Sequence, residues 1–277
     1  TNTFNRRMPS GGTLHIEEIQ DQVELELMRS GEQKVARAYV LYREERKQLR
    51  QQESPQKEEK EGIKITLENG EEDTLDLNRL EKMVAEACEE LEGTDSNLII
   101  EEANKNLYDG VTEEDARTSL VMTARTLVEQ EPNYTYVTAR ILLDNIRTES
   151  LTYLGMQKQA TQTEMQELYP QAFRNFLAKG VENEILNPEL LEMDIEKLGQ
   201  AIDPSRDNLF TYLGLQTLYD RYFIHDTETR YELPQVFFMR VSMGLALREE
   251  NREERAIEFY NLLSSFDYMS STPTLFN

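Results

Sequence analysis

From about residue 152 onward, Tyr, Phe and Leu recur at steps of three to four residues. That spacing puts apolar side chains on one face of an α-helix, so the second half of the chain is predicted to be a packed set of helices. One interruption is expected, because residues 221–224 and 230–233 look like the strands of a short hairpin around the polar turn 225–229. Pro234 then suits the first position of the next helix.

Residues 63–75 predict a second hairpin earlier in the chain. The segment 63–67 alternates between apolar and polar residues like a strand, and Asn69-Gly70 is the strongest hairpin-turn signal in the sequence. The return strand is expected at 72–75.

Helices are predicted after this hairpin. Asp76 or Asn78 can cap a helix whose apolar side carries Leu80, Met83, Val84, Ala87, Cys88 and Leu91. Thr112, with Asp115 three residues later, can cap another helix. After Pro132, a further helix is expected from about 134 to 151.

The first 62 residues predict two helices and a linker. Residues 13–28 place Ile16, Ile19, Val23 and Leu27 on one face, and a second helix is expected at 33–50. The segment 51–62 is polar and highly charged and has the composition of a linker. Residues 34–41 resemble residues 137–143, and two copies of one small module explain this weak repeat.

Composition excludes several classes of function. The 277 residues carry 53 acidic and 30 basic side chains, a net charge of −23, which disfavours binding to nucleic acid. One Cys and two His exclude a disulfide framework and a zinc ribbon, and we expect a reducing cytoplasm. No apolar run is long enough for a membrane helix, and no signal peptide is visible. Thr1 in place of Met, and an apolar last segment, lead us to expect a fragment.

Three stretches resemble the large subunit of class I ribonucleotide reductases. Residues 35–46 (VARAYVLYREER) are similar to the last helix of an ATP-cone, the nucleotide-sensing module of many of these enzymes. Residues 63–150 resemble a complete ATP-cone. Residues 207–222 (DNLFTYLGLQTLYDRY), followed by 232–235, resemble the helical N-terminal domain of that subunit, and 271–277 resemble the start of its catalytic barrel.

The resemblance implies a mainly α fold with small β-hairpins, in which ATP-cone (α+β) modules precede an all-α ribonucleotide reductase N-terminal domain. It also implies five segments: the C-terminal part of a first cone at 1–50, a linker at 51–62, a second cone at 63–150, the helical domain at 151–266, and the start of the barrel at 267–277.

The resemblance further implies an enzyme that reduces ribonucleoside diphosphates to deoxyribonucleotides through a thiyl radical on cysteine. The single Cys88 lies on the apolar side of a helix and is interpreted as a core residue. The catalytic cysteines are therefore expected beyond Asn277, and this chain alone is predicted to be inactive. The partners implied are a small subunit with a di-metal centre, further copies of the large subunit, and ATP or dATP with Mg²⁺ as allosteric effectors, without a metal held by this chain. ATP and dATP would act through the oligomeric state.

Candidate site residues follow from the resemblance, each with a plainer alternative. Thr274 matches a loop Thr that contacts substrate, although Thr272 and Thr274 could instead merely hydrogen-bond the start of a strand. In the first cone, His15, Arg43 and Arg46 suit a nucleotide site, although the two arginines could instead pair with Glu44 and Glu45 on a solvated helix.

The second cone retains Gly70 at its turn and Arg79 where a basic residue belongs. Leu67, Glu68 and Thr148 stand where the family usually has Lys-Arg and Lys, and the acidic residues 71–73 adjoin the turn. A triphosphate there would lack compensating cations, so we interpret this cone as degenerate. The aromatic residues Phe210, Tyr212, Tyr219, Tyr222 and Phe223 are interpreted as core, and His225 as solvated.

Two other functions remain open at this point. The chain could be a non-catalytic ATP-cone nucleotide sensor, although sensors of that kind in transcriptional regulators carry four Cys in a zinc ribbon. It could also be a structural or oligomerisation piece, such as one half of a split reductase.

Overall fold

A computed structural model describes residues 64–66, 72–105, 107, 110–157, 159–227 and 229–275, all within one compact unit, Gly62–Asn277. The helices predicted at 13–28 and 33–50, the linker, and the first copy of the repeat lie outside the described residues. Within them, the predicted fold class is confirmed: the chain is mainly helical, with two small sheets.

A small sheet begins the described region. Strands β1 (Lys64–Thr66) and β2 (Glu72–Thr74) pair antiparallel, with Lys64 opposite Thr74, which confirms the predicted hairpin. A third strand, β3 (Val111–Thr112), pairs parallel with β1. Sequence reasoning did not predict β3, because two residues are too few to show a strand pattern.

The helices that follow the sheet begin where short polar side chains cap them. Asp76 accepts a hydrogen bond from the backbone N–H of Arg79 (3.0 Å), and Thr112 accepts one from the N–H of Asp115 (3.0 Å), so both predicted caps are confirmed. Helix α2 was not predicted. The elements are α1 (Leu77–Cys88), α2 (Ser96–Asn104), α3 (Glu113–Thr126) and a 3₁₀ turn (Leu127–Glu129).

Helix α4 (Tyr134–Tyr153) begins two residues after Pro132 and confirms the helix predicted there. It packs against α1 and α3, and also against the hairpin and helices that come later in the chain. Because both sides are covered, twelve of its twenty residues are buried. The predicted boundary between the second cone and the helical domain, at residue 150, falls inside this continuous helix.

The rest of the chain is helical, as the periodicity predicted. Pro234 does begin a helix, α8, in which Phe237 and Phe238 are fully buried. Helix α5 begins with a capping box between Thr161 and Glu164. The elements are α5 (Gln162–Glu182), α6 (Ile195–Gln200), α7 (Tyr212–Arg221), α8 (Pro234–Ala246), α9 (Arg252–Ser264), α10 (Thr272–Leu275), and 3₁₀ turns at Pro188–Glu192 and Pro204–Leu209.

The later hairpin is shorter than predicted and lies at different residues. Its strands are β4 (His225–Asp226) and β5 (Thr229–Arg230), whereas the prediction placed 225–229 in the turn. Residues 221–224 form no strand, because α7 continues to Arg221 and its end is closed by the N–H of Phe223 bonding to the carbonyl of Leu218 (2.9 Å). That closure buries the Phe223 side chain.

Candidate functional site

Arg79, the predicted cation of the second cone, lies in the first turn of α1. Its guanidinium Nη2 is 2.6 Å from Oδ1 of Asp144 on α4. The Asp144 side chain is only 5% exposed and that of Arg79 is 25% exposed, so the pair is largely shielded from water. The charge of Arg79 is therefore already compensated by a carboxylate of the chain itself.

Thr148 lies one helical turn after Asp144 on α4. Its hydroxyl donates to the backbone carbonyl of Asp144 at 2.9 Å, so its polar group is used within the helix. Gly70, Leu67 and Glu68 lie outside the described residues, as do His15, Arg43 and Arg46 of the first cone.

A groove of about 290 Å³ runs between α1 and α4 and reaches the beginning of α5. Its polar lining is electrically balanced. The cations are Arg79, Lys82, Arg140 and Arg147; the carboxylates are Glu86, Glu89, Glu90 and Asp144; the neutral polar side chains are Thr161, Gln162, Thr163 and Asn208. With equal numbers of opposite charges, the groove offers no surplus of positive charge to a triphosphate.

Arg140 illustrates how the cations of the groove are used. Its Nη1 donates to the backbone carbonyls of Ala87 (3.1 Å) and Glu89 (2.8 Å), at the end of α1. Burial lowers the pKa of the Arg140 guanidinium, which the negative charge of Glu90 partly counteracts. Arg140 therefore acts as a cap for the carbonyls at the end of α1.

Arg147, one of the residues that line the groove, begins a buried polar network. Its Nη2 is 3.1 Å from Oδ2 of Asp207, and it also contacts the side-chain oxygen of Gln162. Asp207 further accepts from the hydroxyl of Tyr169 (2.8 Å) and from the side-chain amide of Gln235 (3.0 Å). Burial, followed by the charge of Asp207, raises the pKa of the Tyr169 phenol well above its ordinary value.

A second buried pair joins the hairpin region to α8. Arg240 Nε lies 2.6 Å from Glu232 Oε1 and its Nη2 lies 3.2 Å from Oε2, with both side chains at most 3% exposed. Sequence reasoning missed this pair. The available signal was Arg240 itself, a charge within the apolar helix Pro234–Ala246, since a charge in such a position needs a buried partner.

Thr274 lies in α10, a different part of the chain from Arg79. It is partly exposed, and its backbone N–H donates to the carbonyl of Ser271 at 3.0 Å. The neighbouring Thr272 shares a hydrogen bond of 3.0 Å with the hydroxyl of Tyr222. Both threonines belong to a short helix, so the strand start that the alternative assumed is not formed at these residues.

The remaining interpreted residues lie as follows. Phe210 and Phe223 are 2% exposed, and the three tyrosines pack partly buried against the core, which confirms the core interpretation. His225 is exposed in β4. Cys88 is half-buried against the core, and burial raises the pKa of its thiol. A thiol with a raised pKa is a poor nucleophile, which agrees with a packing role.

Within the described part of the chain, no group of three or more His, Cys, Asp or Glu side chains is placed to hold a metal ion. No described helix combines the length and apolar character needed to cross a membrane.

Comparison with known proteins gives two family matches. The ATP cone domain matches residues 2–48 and 63–149, and the all-alpha domain of ribonucleotide reductase matches residues 208–277.

The ribonucleoside-diphosphate reductase subunit alpha of Chlamydia muridarum is 39% identical over 274 residues, and that of Chlamydia trachomatis is 41% identical over 271. Both alignments cover 95% of this chain but 25% of the relative. The alpha subunit of Helicobacter pylori is 32% identical over 217 residues, with 78% of this chain and 26% of the relative covered. The chain thus spans about a quarter of the length of these relatives.

Proposed function

Because the chain belongs to the family of ribonucleotide reductase large subunits, we propose that it forms the N-terminal regulatory part of a ribonucleoside-diphosphate reductase. The observation that supports this most strongly is the order of the matches. An ATP cone and the reductase all-alpha domain follow one another within the single unit Gly62–Asn277, and helix α4, at the end of the cone match, packs against α7 inside the all-alpha match.

The chemistry of the complete enzyme would reside in residues outside this chain. Cys88 is the only cysteine of the chain, so the chain holds no pair of thiols that could supply two electrons, and Cys88 itself is half-buried against the core. Thr274, partly exposed at the C-terminal end of the described residues, would contribute its hydroxyl to a substrate phosphate or ribose oxygen. This chain alone is therefore inactive in our proposal.

The second cone serves as a structural element rather than a nucleotide sensor in this proposal. Arg79 is bonded to Asp144, Thr148 supplies no cation, and the groove beside them has balanced charge. A triphosphate at Arg79 would have to displace a shielded carboxylate, which costs more than filling a free cationic site.

Allosteric ATP or dATP, with Mg²⁺, would instead bind the first cone through His15, Arg43 and Arg46. The complete protein would act in the cytoplasm with a small subunit that carries the di-metal centre, and as a homo-oligomer of large subunits. Effector binding would then alter which assembly forms.

Calorimetric titration of Mg·ATP and Mg·dATP into this chain tests the division between the cones. We expect any binding by the chain, or by a form extended upstream, to survive Arg79→Met and to be lost in the double variant Arg43→Ala/Arg46→Ala. If binding is lost in Arg79→Met but kept in the double variant, the proposal that the second cone has no nucleotide site is refuted.

Reduction of CDP by the complete subunit together with its small subunit tests the enzymatic assignment. We expect Thr274→Val to raise KM about tenfold, which corresponds to about 1.4 kcal/mol of lost substrate binding. A complete subunit that binds effector but reduces no ribonucleoside diphosphate would contradict the assignment.

A further inference from the structure

Two buried charged residues of α4 hold different parts of the molecule. Asp144 and Arg147 are each 4% exposed and lie three residues apart, hence on one face of the helix. Asp144 binds Arg79 of α1, whereas Arg147 binds Asp207 in the 3₁₀ turn Pro204–Leu209 and Gln162 of α5. Neighbouring positions on one helix therefore anchor the cone on one side and the all-α region on the other.

Each of these two side chains keeps one buried polar atom without a hydrogen-bond partner among the described residues. The atoms are Oδ2 of Asp144, an acceptor, and Nε of Arg147, a donor. A buried polar atom without a partner costs free energy, so both side chains gain by meeting a group of the opposite kind. A hydrogen bond from Nε of Arg147 to Oδ2 of Asp144 would satisfy both atoms.

The surrounding space allows these side chains to move. Both line the groove of about 290 Å³, so each borders open space as well as packed side chains. An external anion is not favoured there, since Arg79, Lys82, Arg140 and Arg147 face Glu86, Glu89, Glu90 and Asp144. The balance of charge favours exchange of partners inside the chain over capture of a charged ligand.

We propose that Asp144 is a two-position switch that pairs with Arg79 in one state and with Arg147 in the other. When α1 moves and withdraws Arg79, the buried carboxylate of Asp144 needs another cation. Arg147, one turn away, supplies it and loosens its hold on Asp207. A movement of the cone is thereby passed to the 3₁₀ turn Pro204–Leu209. Tyr169 and Gln235 also donate hydrogen bonds to Asp207 of that turn.

Amide hydrogen exchange of the full 277-residue chain, followed by mass spectrometry, tests this proposal. Arg79→Met imitates withdrawal of Arg79, and we expect exchange in peptides covering 204–209 to become at least about 5-fold faster, the lower end of typical coupling between sites. Peptides from α8, in the core, report global unfolding and should keep their rate. Arg79→Met/Asp144→Asn should return the rate in 204–209 to about that of the unmodified chain, because a neutral amide does not draw Arg147 away.

Arg117→Met is the matched control. Arg117 pairs with Glu113 at 2.6 Å within α3 and is 9% exposed, so it is an equally short cone ion pair without a link to Asp144. It should leave exchange in 204–209 unchanged. Equal acceleration by both arginine variants, or none by Arg79→Met, would overturn the switch.

A second variant keeps the test decisive if Arg79→Met does not fold. Asp144→Asn alone leaves Arg147 with Asp207 as its only charged partner in the described part of the chain, and we expect exchange in 204–209 to be unchanged or slower. A merely structural Asp144 predicts the opposite, faster exchange there, and that result would refute the proposal.

Discussion

The buried pair of Glu232 and Arg240 supports a quantitative prediction about stability. Glu232→Gln removes the negative charge but keeps the size of the side chain. In the native chain, Glu232 accepts two hydrogen bonds from Arg240 and a third, at 2.9 Å, from the backbone N–H of Ile224. An amide has only one acceptor oxygen, and its NH₂ group would face donors.

The size of the effect follows from burial. Glu232 is 0% and Arg240 3% exposed, so the substitution removes the carboxylate that accepts two hydrogen bonds from a buried guanidinium. Breaking a buried pair in this way costs about 3–5 kcal/mol of the free energy of unfolding. For a folded unit of this size, each kcal/mol lowers Tm by about 2–4 °C, so a fall of about 6–20 °C is expected.

Urea unfolding followed by far-ultraviolet circular dichroism, with thermal melts in parallel, measures this loss. Glu254→Gln is the control, because its ion pair with Lys197 is exposed and such pairs contribute little. The double substitution Glu232→Leu/Arg240→Met should recover most of the stability, since it leaves no unpaired charge. A loss below about 1 kcal/mol in Glu232→Gln would refute the reasoning, since only a solvated pair contributes so little.

Two further predictions concern α9 and α5. Tyr260 is fully buried and its pKa is raised to about 12 from the ordinary value of 10.0, chiefly by burial. Between pH 10 and 12 the folded state therefore keeps a proton that the unfolded state has lost, so this contribution to stability is complete below pH 10 and is lost as pH rises through the window. The slope is up to about 1.4 kcal/mol per pH unit, and urea titrations of Tyr260→Phe should lack it; equal slopes in both proteins would contradict the prediction. Thr161→Ala removes the cap of α5 and should lower the free energy of unfolding by about 1 kcal/mol in the same titrations. Thr163→Ala, at an exposed position two residues later, should lower it much less.

Local signals in the sequence predicted the elements whose causes are local. Asp76 and Thr112 cap helices because their short side chains reach the backbone N–H groups just ahead of them, and Pro234 begins a helix because its ring fixes φ. The strands 221–224 and 230–233 were misplaced for the complementary reason. The alternation of these residues is real, but α7 continues to Arg221 and Phe223 is buried just after its end, which leaves only 225–226 and 229–230 for the hairpin strands.

The polar contacts of Arg79 and Arg147 could not be predicted, because they join residues far apart in the chain. Arg79 and Asp144 are 65 residues apart, and Arg147 and Asp207 are 60 apart. The resemblance to a reductase identified Arg79 as a cation suited to a phosphate, but nothing local to it reveals that Asp144 occupies its guanidinium. Conversely, the sequence showed that Leu67, Glu68 and Thr148 lack positive charge, and Thr148 lies where that reasoning placed it, on the last cone helix.

In our proposal the second cone binds no nucleotide, and its packing supplies a physical reason for it to persist in this chain. Helix α4 closes the cone through contacts with α1 and α3, and the same helix provides Arg147 to the polar network of the all-α region. Removing the cone would strip α4 of the partners that bury Val137, Ile141 and Leu143, and would leave Asp144 without Arg79. Both losses act on the helix that positions Asp207, so the all-α region requires the packing of the second cone even where it does not require a nucleotide there.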